Sequence, residues 1–336
     1  MITKKLSKES LCIDAVAETE RIAEKLRHIL SRDLKRRGLV LGLSGGVDSS
    51  VTAALAVRAL GKDKVFGILM PERHSESESL VLGQALADSL GIVCVEENIS
   101  GILEAVGFYR RYDAAVREVV PDYGTGWVSK IVIEGIASGG GYTTFSVVTK
   151  DPQGKISRTR LSLKAYLEIV AATNFKQRTR KMLEYYHADR LNYAVAGTPN
   201  RVEYDQGFFV KGGDGLADVK PIAHLYKSQV YQLADYLQVP KEIRCRPPTT
   251  DTYSMPQGQD EFYFALAYEP MDICLYGKNQ AIDAGIVAEA AGLTREKVEY
   301  VWNDIDRKRA ATRYLHMAPL LVGKVLEVAD VVNVCA

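Results

Sequence analysis

The chain has 336 residues, with 43 Lys and Arg against 42 Asp and Glu, so its formal net charge is +1. This length suffices for one large or two medium domains, and the charge balance offers no field that would attract nucleic acid or an anionic membrane. No apolar run reaches membrane-spanning length, the N-terminus lacks a signal-type apolar core, and the five cysteines form no CxxC pair. We therefore expect a reduced, soluble, cytoplasmic protein with neither nucleic acid nor membrane among its partners.

Segments typical of strands and helices alternate along most of the chain. Predicted strands occupy residues 39–43, 64–70, 91–97 and 192–198, and predicted helices occupy residues 10–36, 47–60, 75–90, 99–112 and 165–190. Apolar strands that alternate with helices form a parallel sheet with both faces covered. With right-handed crossovers, the sequence predicts a doubly wound α/β fold.

Three segments depart from this alternation. Residues 129–163 alternate by twos around the turn sequence DPQG, which predicts a β-hairpin inside an insertion at 113–163. This insertion is either a plain surface element or a lid or interface element. Residues 246–262 lack periodicity and contain three prolines, which predicts a mobile active-site loop. The chain after residue 220 is helix-rich, with predicted helices at 226–238, 259–276, 279–291 and 294–312. We expect a single domain over 1–336 with a helical C-terminal extension packed on it.

The turn SGGVDSS (44–50) lies between the first predicted strand and the next helix. Such a turn presents backbone N–H groups to an anion at the positive end of the helix. A Walker loop would supply a lysine for the phosphates, but this turn carries Asp48 instead. An aspartate beside phosphates needs Mg²⁺ between them, so the turn predicts a site for pyrophosphate with magnesium. A merely structural strand–helix turn is the alternative.

SGGVDSS resembles the signature of the N-type ATP pyrophosphatases, which cleave ATP between the α and β phosphates and adenylate an acceptor. Residues 174–237 and 247–272 are similar to the core of the ammonia-dependent NAD synthetase family. The residues that match the family's ordered motifs are Asn174, Arg178, Arg180, Gly197, Thr198, Glu203, Lys211, Gly213, Asp214, Lys227, Thr249, Asp251, Asp260 and Glu261. The resemblance implies an adenine nucleotide alpha hydrolase-like fold, a homodimer, and a ligase that converts deamido-NAD to NAD with ATP and ammonia.

The resemblance also implies residue roles. Asp48 and Glu203 would hold Mg²⁺, and the catalytic set would comprise Asp48, Lys211, Asp214, Lys227 and Thr249. The lysines and Thr249 would stabilise charge on the α-phosphate and the departing pyrophosphate, and Asp214 would steer or deprotonate ammonia. The ATP-binding set would be Ser44, Gly45, Gly46, Asp48, Ser49, Ile68, Leu69, Met70, Arg178 and Thr198. The acceptor-binding set would be Asn174, Arg180, Phe208, Asp214 and Glu261.

Several alternatives stay open at the level of sequence. The stretches VKGGD (210–214) and FYFALAY (262–268) depart from the family pattern near the expected acceptor. A related ligase that amidates another carboxylate, such as a sugar acid, would explain these departures. A tRNA-thiolating enzyme would want a basic face or a persulfide cysteine pair. A non-catalytic nucleotide-binding relative would not need Asp48, Glu203, Lys211 and Lys227 together. The sequence shows no glutaminase half, so ammonia is either free or delivered by a separate chain.

Overall fold

The computed structural model describes residues 6–75, 77–134, 144–247, 252–255, 257–258, 263–264, 266–323 and 325. The strands are β1 (Leu39–Gly42), β2 (Val65–Leu69), β3 (Val93–Glu96), β4 (Val128–Glu134), β5 (Thr144–Lys150), β6 (Ile156–Arg160) and β7 (Ala194–Val195). The helices are α1 (Ala15–His28), α2 (Val47–Leu60), α3 (Ser77–Leu90), α4 (Ser100–Ala105), α5 (Phe108–Arg117), α6 (Leu163–Leu191), α7 (Arg201–Gln206), α8 (Lys227–Tyr236), α9 (Lys241–Cys245), α10 (Tyr268–Asn279), α11 (Ala284–Ala291) and α12 (Arg295–Thr312).

Four parallel strands form the central sheet in the order β3-β2-β1-β7. Successive residues of β1 point to opposite faces: Leu39 and Leu41 join the core beneath α1, α2, α3 and α8, whereas Val40 joins the core beneath α5 and α6. Both faces are therefore covered, and the predicted doubly wound fold is confirmed. The chain runs outward from β1 to β3 and returns to β7 on the other side of β1, so the strand order reverses at β1. A crevice opens there at the carboxyl ends of the strands.

A second sheet contains β4, β5 and β6, all antiparallel. The DPQG turn joins β5 to β6, because the Asp151 carboxylate accepts hydrogen bonds from the amides of Gln153 and Lys155 and Gly154 adopts a φ of +87°. The predicted hairpin is confirmed, and the structure adds β4 as a third strand.

The C-terminal helices form their own core with α7. Met271, Val298 and Ile305 from α10 and α12 are fully buried there with Val202 of α7, which confirms a packed helical extension. None of the described helices is long and apolar enough to cross a membrane.

Predicted element boundaries differ from the observed ones for local reasons. The first helix begins at Ala15 because the Asp14 side chain accepts hydrogen bonds from the amides of Val16 and Ala17, and it closes with a π-helical turn at Ile29–Asp33. The segment 99–112 is divided at Gly107, whose φ is +71°. The helix predicted from residue 259 begins at Tyr268 in the described chain.

The predicted loop 246–262 falls largely outside the described residues. Residues 248–251, 256 and 259–262 are not described, and they include the predicted site residues Thr249 and Glu261.

Candidate active site

A cavity of about 460 Å³ lies at the carboxyl ends of β1, β2 and β7. Its wall includes predicted residues from both halves of the sequence. They are Ser44, Gly46, Asp48, Ser49, Ile68, Leu69, Met70, Asn174, Arg180, Thr198, Glu203, Phe208, Asp214 and Lys227. The parallel-strand geometry brings these distant segments together, because the strands β1, β2 and β7 end at the same edge of the sheet.

Hydrogen bonds between its own serine residues stabilise the turn between β1 and α2. The Ser44 and Ser49 hydroxyl oxygens lie 3.1 Å apart, and the Ser44 amide donates to the Ser49 hydroxyl at 3.3 Å. Gly45 has a φ of +72°, and a Cβ there would lie 2.6 Å from the Ser79 carbonyl oxygen, so glycine is required. Gly46 caps α2 and leaves the amides of the first helical turn available to a phosphate.

Two carboxylates surround a buried lysine beside this turn. The Lys227 ammonium, 2% exposed, pairs with the Asp48 carboxylate. The Asn200 side-chain amide donates to the other Asp48 oxygen at 3.2 Å, and the Asn200 backbone amide donates to Glu203 at 3.1 Å. Burial opposes the charge of Lys227, but the carboxylates of Asp48 and Glu203 outweigh it and raise the pKa of Lys227 above its ordinary value.

Asn200 and Asp272 support this cluster and were missed from the sequence. Asn200 and Glu203 form a capping box that starts α7, a signal readable in the sequence NRVE. Asp272 of α10 accepts hydrogen bonds from the amides of Lys227 and Ser228 at 3.2 and 2.7 Å, so it caps α8 from outside. Burial raises the pKa of Asp272 to about 6, although these amide hydrogen bonds oppose the shift. No local pattern indicates Asp272, because its partners lie about 45 residues away.

The opposite wall of the cavity carries Asp214 and Phe208. The amide of Val210 donates to the Asp214 carboxylate at 2.7 Å, and burial raises the pKa of Asp214 above its ordinary value. The Phe208 ring lies against Tyr263, with ring centroids 4.6 Å apart. A carboxyl group and an aromatic ring therefore line the same cavity as the turn between β1 and α2.

A buried ion pair on α6 also lines the cavity and was not predicted. The Lys181 ammonium lies 2.5 Å from a Glu184 carboxylate oxygen, and burial raises the pKa of Glu184. The other Glu184 oxygen packs so close to Gly42 at the end of β1 that a Cβ there would lie 3.2 Å from it. This pair closes the floor of the cavity beneath β1.

Three of the described predicted residues, Lys211, Arg178 and Gly45, lie outside the cavity wall. The Lys211 ammonium donates to the Tyr314 carbonyl at 2.9 Å, and the exposed Arg178 guanidinium donates to the Lys211 carbonyl at 3.2 Å. Residues two apart on a helix point roughly 200° apart, so Arg178 faces away when Arg180 faces the cavity. Gly45 lies in the turn between β1 and α2 and packs against Ser79 and Leu82. The predicted roles of Lys211 and Arg178 at the nucleotide stay predictions.

The donor set suits magnesium better than a transition metal. Within the part of the chain that the structure describes, no group of three or more His, Cys, Asp or Glu side chains could hold a metal ion. Asp48 and Glu203 offer oxygen atoms alone, and a hard cation that keeps waters and binds phosphates needs just one or two carboxylates.

The fold and this site together define a doubly wound nucleotide-binding protein whose phosphate turn carries an aspartate in place of a lysine. The family model described as NAD synthase matches residues 18–120 and 146–313. The chain belongs to the NAD synthase family.

Relatives and solved structures agree with this assignment. The chain is 59% identical over 322 residues to an "NH(3)-dependent NAD(+) synthetase" of Rhizobium meliloti (strain 1021), covering 96% of each protein. It is 37% identical over 236 residues to a protein of the same name from Thermotoga maritima, covering 70% of this chain and 78% of that protein. In fold, it is similar to an NMN synthetase from Francisella tularensis (TM-score 0.64, 21% identity, 93% of this chain and 100% of that one). It is also similar to an NH3-dependent NAD synthetase from Campylobacter jejuni (TM-score 0.60, 22% identity, 93% and 100%).

Proposed function

We propose that this protein is an ammonia-dependent ligase that converts deamido-NAD to NAD, with ATP cleaved to AMP and pyrophosphate. The observation that carries the proposal is the buried Lys227 paired with Asp48 beside the turn between β1 and α2, in a cavity that Glu203 also lines. The names of the relatives at 59% and 37% identity support the choice of acceptor and of ammonia.

In the first step, an oxygen of the acceptor carboxylate attacks the α-phosphorus of ATP. The bond between the α-phosphorus and the bridging oxygen breaks, and pyrophosphate leaves with that oxygen. The amides at the start of α2 and the Lys227 ammonium would stabilise the negative charge that develops on the phosphates. No proton needs to move in this step, which suits a site built from fixed positive charge.

In the second step, ammonia attacks the acyl carbon of the adenylate, the bond between that carbon and the bridging oxygen breaks, and AMP leaves with the bridging oxygen. The attacking nitrogen must lose a proton as the amide forms. Asp214, whose pKa burial raises, lies on the cavity wall and is the proposed acceptor of that proton. Asn174, Arg180 and Phe208 share the cavity wall and are proposed to bind the nicotinate nucleotide.

Asp48 and Glu203 are the proposed ligands of a magnesium ion. A bound Mg²⁺ would neutralise charge on the ATP phosphates. Lys227 occupies one Asp48 oxygen in the structure, so we propose that Asp48 exchanges this partner when ATP binds with its metal.

We further propose that the protein acts in the cytoplasm as a homodimer and uses free ammonia or ammonia from a separate glutaminase chain. Exposed apolar side chains on α6, among them Leu163 and Leu167, support a protein partner for that helix. Light scattering of the purified chain tests the dimer, and a rate with ammonium chloride alone tests the nitrogen source.

The decisive experiment measures pyrophosphate release from ATP with ammonium and a panel of carboxylates. Release that depends on deamido-NAD, with NAD as product, is expected. Release with a sugar acid alone would select the alternative ligase, and ATP binding without release would indicate a non-catalytic relative.

A further inference from the structure

The stretch Thr252–Met255 is irregular chain in a buried position. Thr252 and Tyr253 line the cavity, and Tyr253 is 4% exposed. Irregular chain has no ladder of backbone hydrogen bonds to hold it, so another part of the molecule must set its position.

Strand β4 of the second sheet holds one side of this stretch. The Ser129 amide donates to the Ser254 hydroxyl at 2.9 Å, and the Met255 amide donates to the Ser129 carbonyl at 3.2 Å. Further along, the Gln257 side-chain amide donates to the Ile131 carbonyl. Ser254, Met255 and Gln257 thus lie beside β4 and are held to it by hydrogen bonds.

Ser129 is itself fastened to the main domain. Its hydroxyl lies 2.8 Å from the Tyr112 hydroxyl of α5 and 2.9 Å from the Tyr123 hydroxyl, and Ser129 is fully buried. These hydrogen bonds fix β4 to α5, so the position of α5 determines where β4 holds the cavity wall.

A buried ion pair holds the other side. The Lys176 ammonium of α6 donates to the Thr252 carbonyl at 2.9 Å and to the Glu72 carboxylate at 2.6 Å, and the Tyr109 hydroxyl donates to the second Glu72 oxygen at 3.0 Å. The exposed fractions of the Lys176 and Glu72 side chains are 1% and 0%. Burying two charges costs about as much free energy as their attraction returns, so such a pair adds little stability and serves better to set a position.

We propose that β4 and the Glu72–Lys176 pair are positioning elements that fix Thr252 and Tyr253 as a wall of the substrate cavity. Residues 128–134 of β4 lie in the interval 121–145 that the family model leaves unmatched. β6 and most of β5 lie inside the matched range 146–313, so β4 would be the strand outside the family model that shapes the cavity. The expected change in KM rests on the proposed function, whereas the anchoring of Thr252 and Tyr253 does not.

Two variants test the two anchors separately. Ser254→Ala removes the hydroxyl that faces Ser129, and Ser254→Thr retains it. The double variant Glu72→Gln with Lys176→Met removes the tether to Thr252 without leaving a buried unpaired charge. Lys164→Met is the matched control, because it removes an exposed ion pair at the start of α6, where the Lys164 ammonium lies 2.7 Å from Glu118.

Hydrogen exchange of the Met255 amide reports the anchoring directly. We expect exchange at least tenfold faster in Ser254→Ala and in the double variant, with wild-type exchange in Ser254→Thr and Lys164→Met. Because Thr252 and Tyr253 line the cavity without a role in bond making, KM should rise about tenfold while kcat changes less than twofold.

Wild-type exchange and wild-type KM in both anchor variants would overturn the inference. If the two anchors only stabilise the fold, the anchor variants would have a lower melting temperature but the KM and kcat of the wild type. That result would also overturn the inference. If the wild-type protein does not amidate deamido-NAD, the proposed function fails, whereas the Met255 exchange still decides whether the anchors exist.

Discussion

The two sides of the cavity are built differently. The side proposed to bind phosphate, called the phosphate side, comes from strand ends and helix N-termini, with residues 44–49 at the junction of β1 and α2 and Lys227 at the start of α8. The facing side takes Thr252 and Tyr253 from irregular chain held by side-chain contacts to β4 and α6. The charged side chains thus lie at the ends of helices, and side-chain contacts between distant segments position the remaining wall. A substitution on the first side should therefore slow the reaction, and a substitution on the second side should displace the cavity wall.

Asp48→Asn gives the largest expected effect. The neutral amide cannot bind a cation or pair with the charge of Lys227, so pyrophosphate release should fall about a thousandfold, which corresponds to about 4 kcal/mol of transition-state free energy. The melting temperature should also fall, because the buried Lys227 ammonium loses its charged partner, so release is measured well below the melting temperature of the variant. Asp88→Asn, on the exposed face of α3, is the control. Normal turnover by Asp48→Asn would refute the assignment of the phosphate side.

Lys227→Met should cost about a hundredfold in kcat, because the fixed positive charge beside the phosphates is lost. Lys211→Met is the comparison, since the Lys211 ammonium binds the Tyr314 carbonyl outside the cavity wall. Its loss should be at least tenfold smaller. Steady-state pyrophosphate release from both variants, at saturating ATP, measures the difference. Equal losses would mean that Lys211 reaches the nucleotide when it binds.

Asp272 makes stability depend on pH. Its pKa rises from 3.8 to about 6 on folding, so the folded state favours the protonated carboxyl. The corresponding stabilisation is complete below pH 3.8 and is lost as pH rises to about 6; its size is on the order of 3 kcal/mol. Urea unfolding of wild type and Asp272→Asn at several pH values should show the wild-type advantage falling over this window. A constant difference between the two would contradict the prediction.

Gly45→Ala should destabilise the protein by about 1–2 kcal/mol, because alanine at positive φ is strained and its Cβ meets the Ser79 carbonyl oxygen. Gly46→Ala is the matched control, since Gly46 has a φ of −93° and the nearest atom to its Cβ is 3.4 Å away. Chemical denaturation of both variants measures the difference. A similar loss of stability in both variants would contradict the prediction that the positive φ of Gly45 requires glycine.

Much of the phosphate side could be predicted from local sequence. The pattern of an apolar strand, SGG, Asp48 and a helix is contained within a dozen residues, so its geometry follows from neighbouring residues. Asp272 and Lys176 could not be predicted in this way. Their partners lie far away in sequence, and whether a lysine on α6 is buried against Glu72 depends on how α6 packs across the sheet.

Sequence alone determined the alternation of strands and helices, the glycine-rich turn before α2 and the hairpin around DPQG, because each depends on local periodicity or turn chemistry. Tertiary structure alone decided which side chains meet in the cavity. It turned Arg180 toward the cavity and Arg178 away from it, and it placed Lys227 between Asp48 and Glu203. It also set β4 beside Ser254 and Gln257, because contacts between distant segments depend on the packing of the whole chain and not on either segment's own pattern.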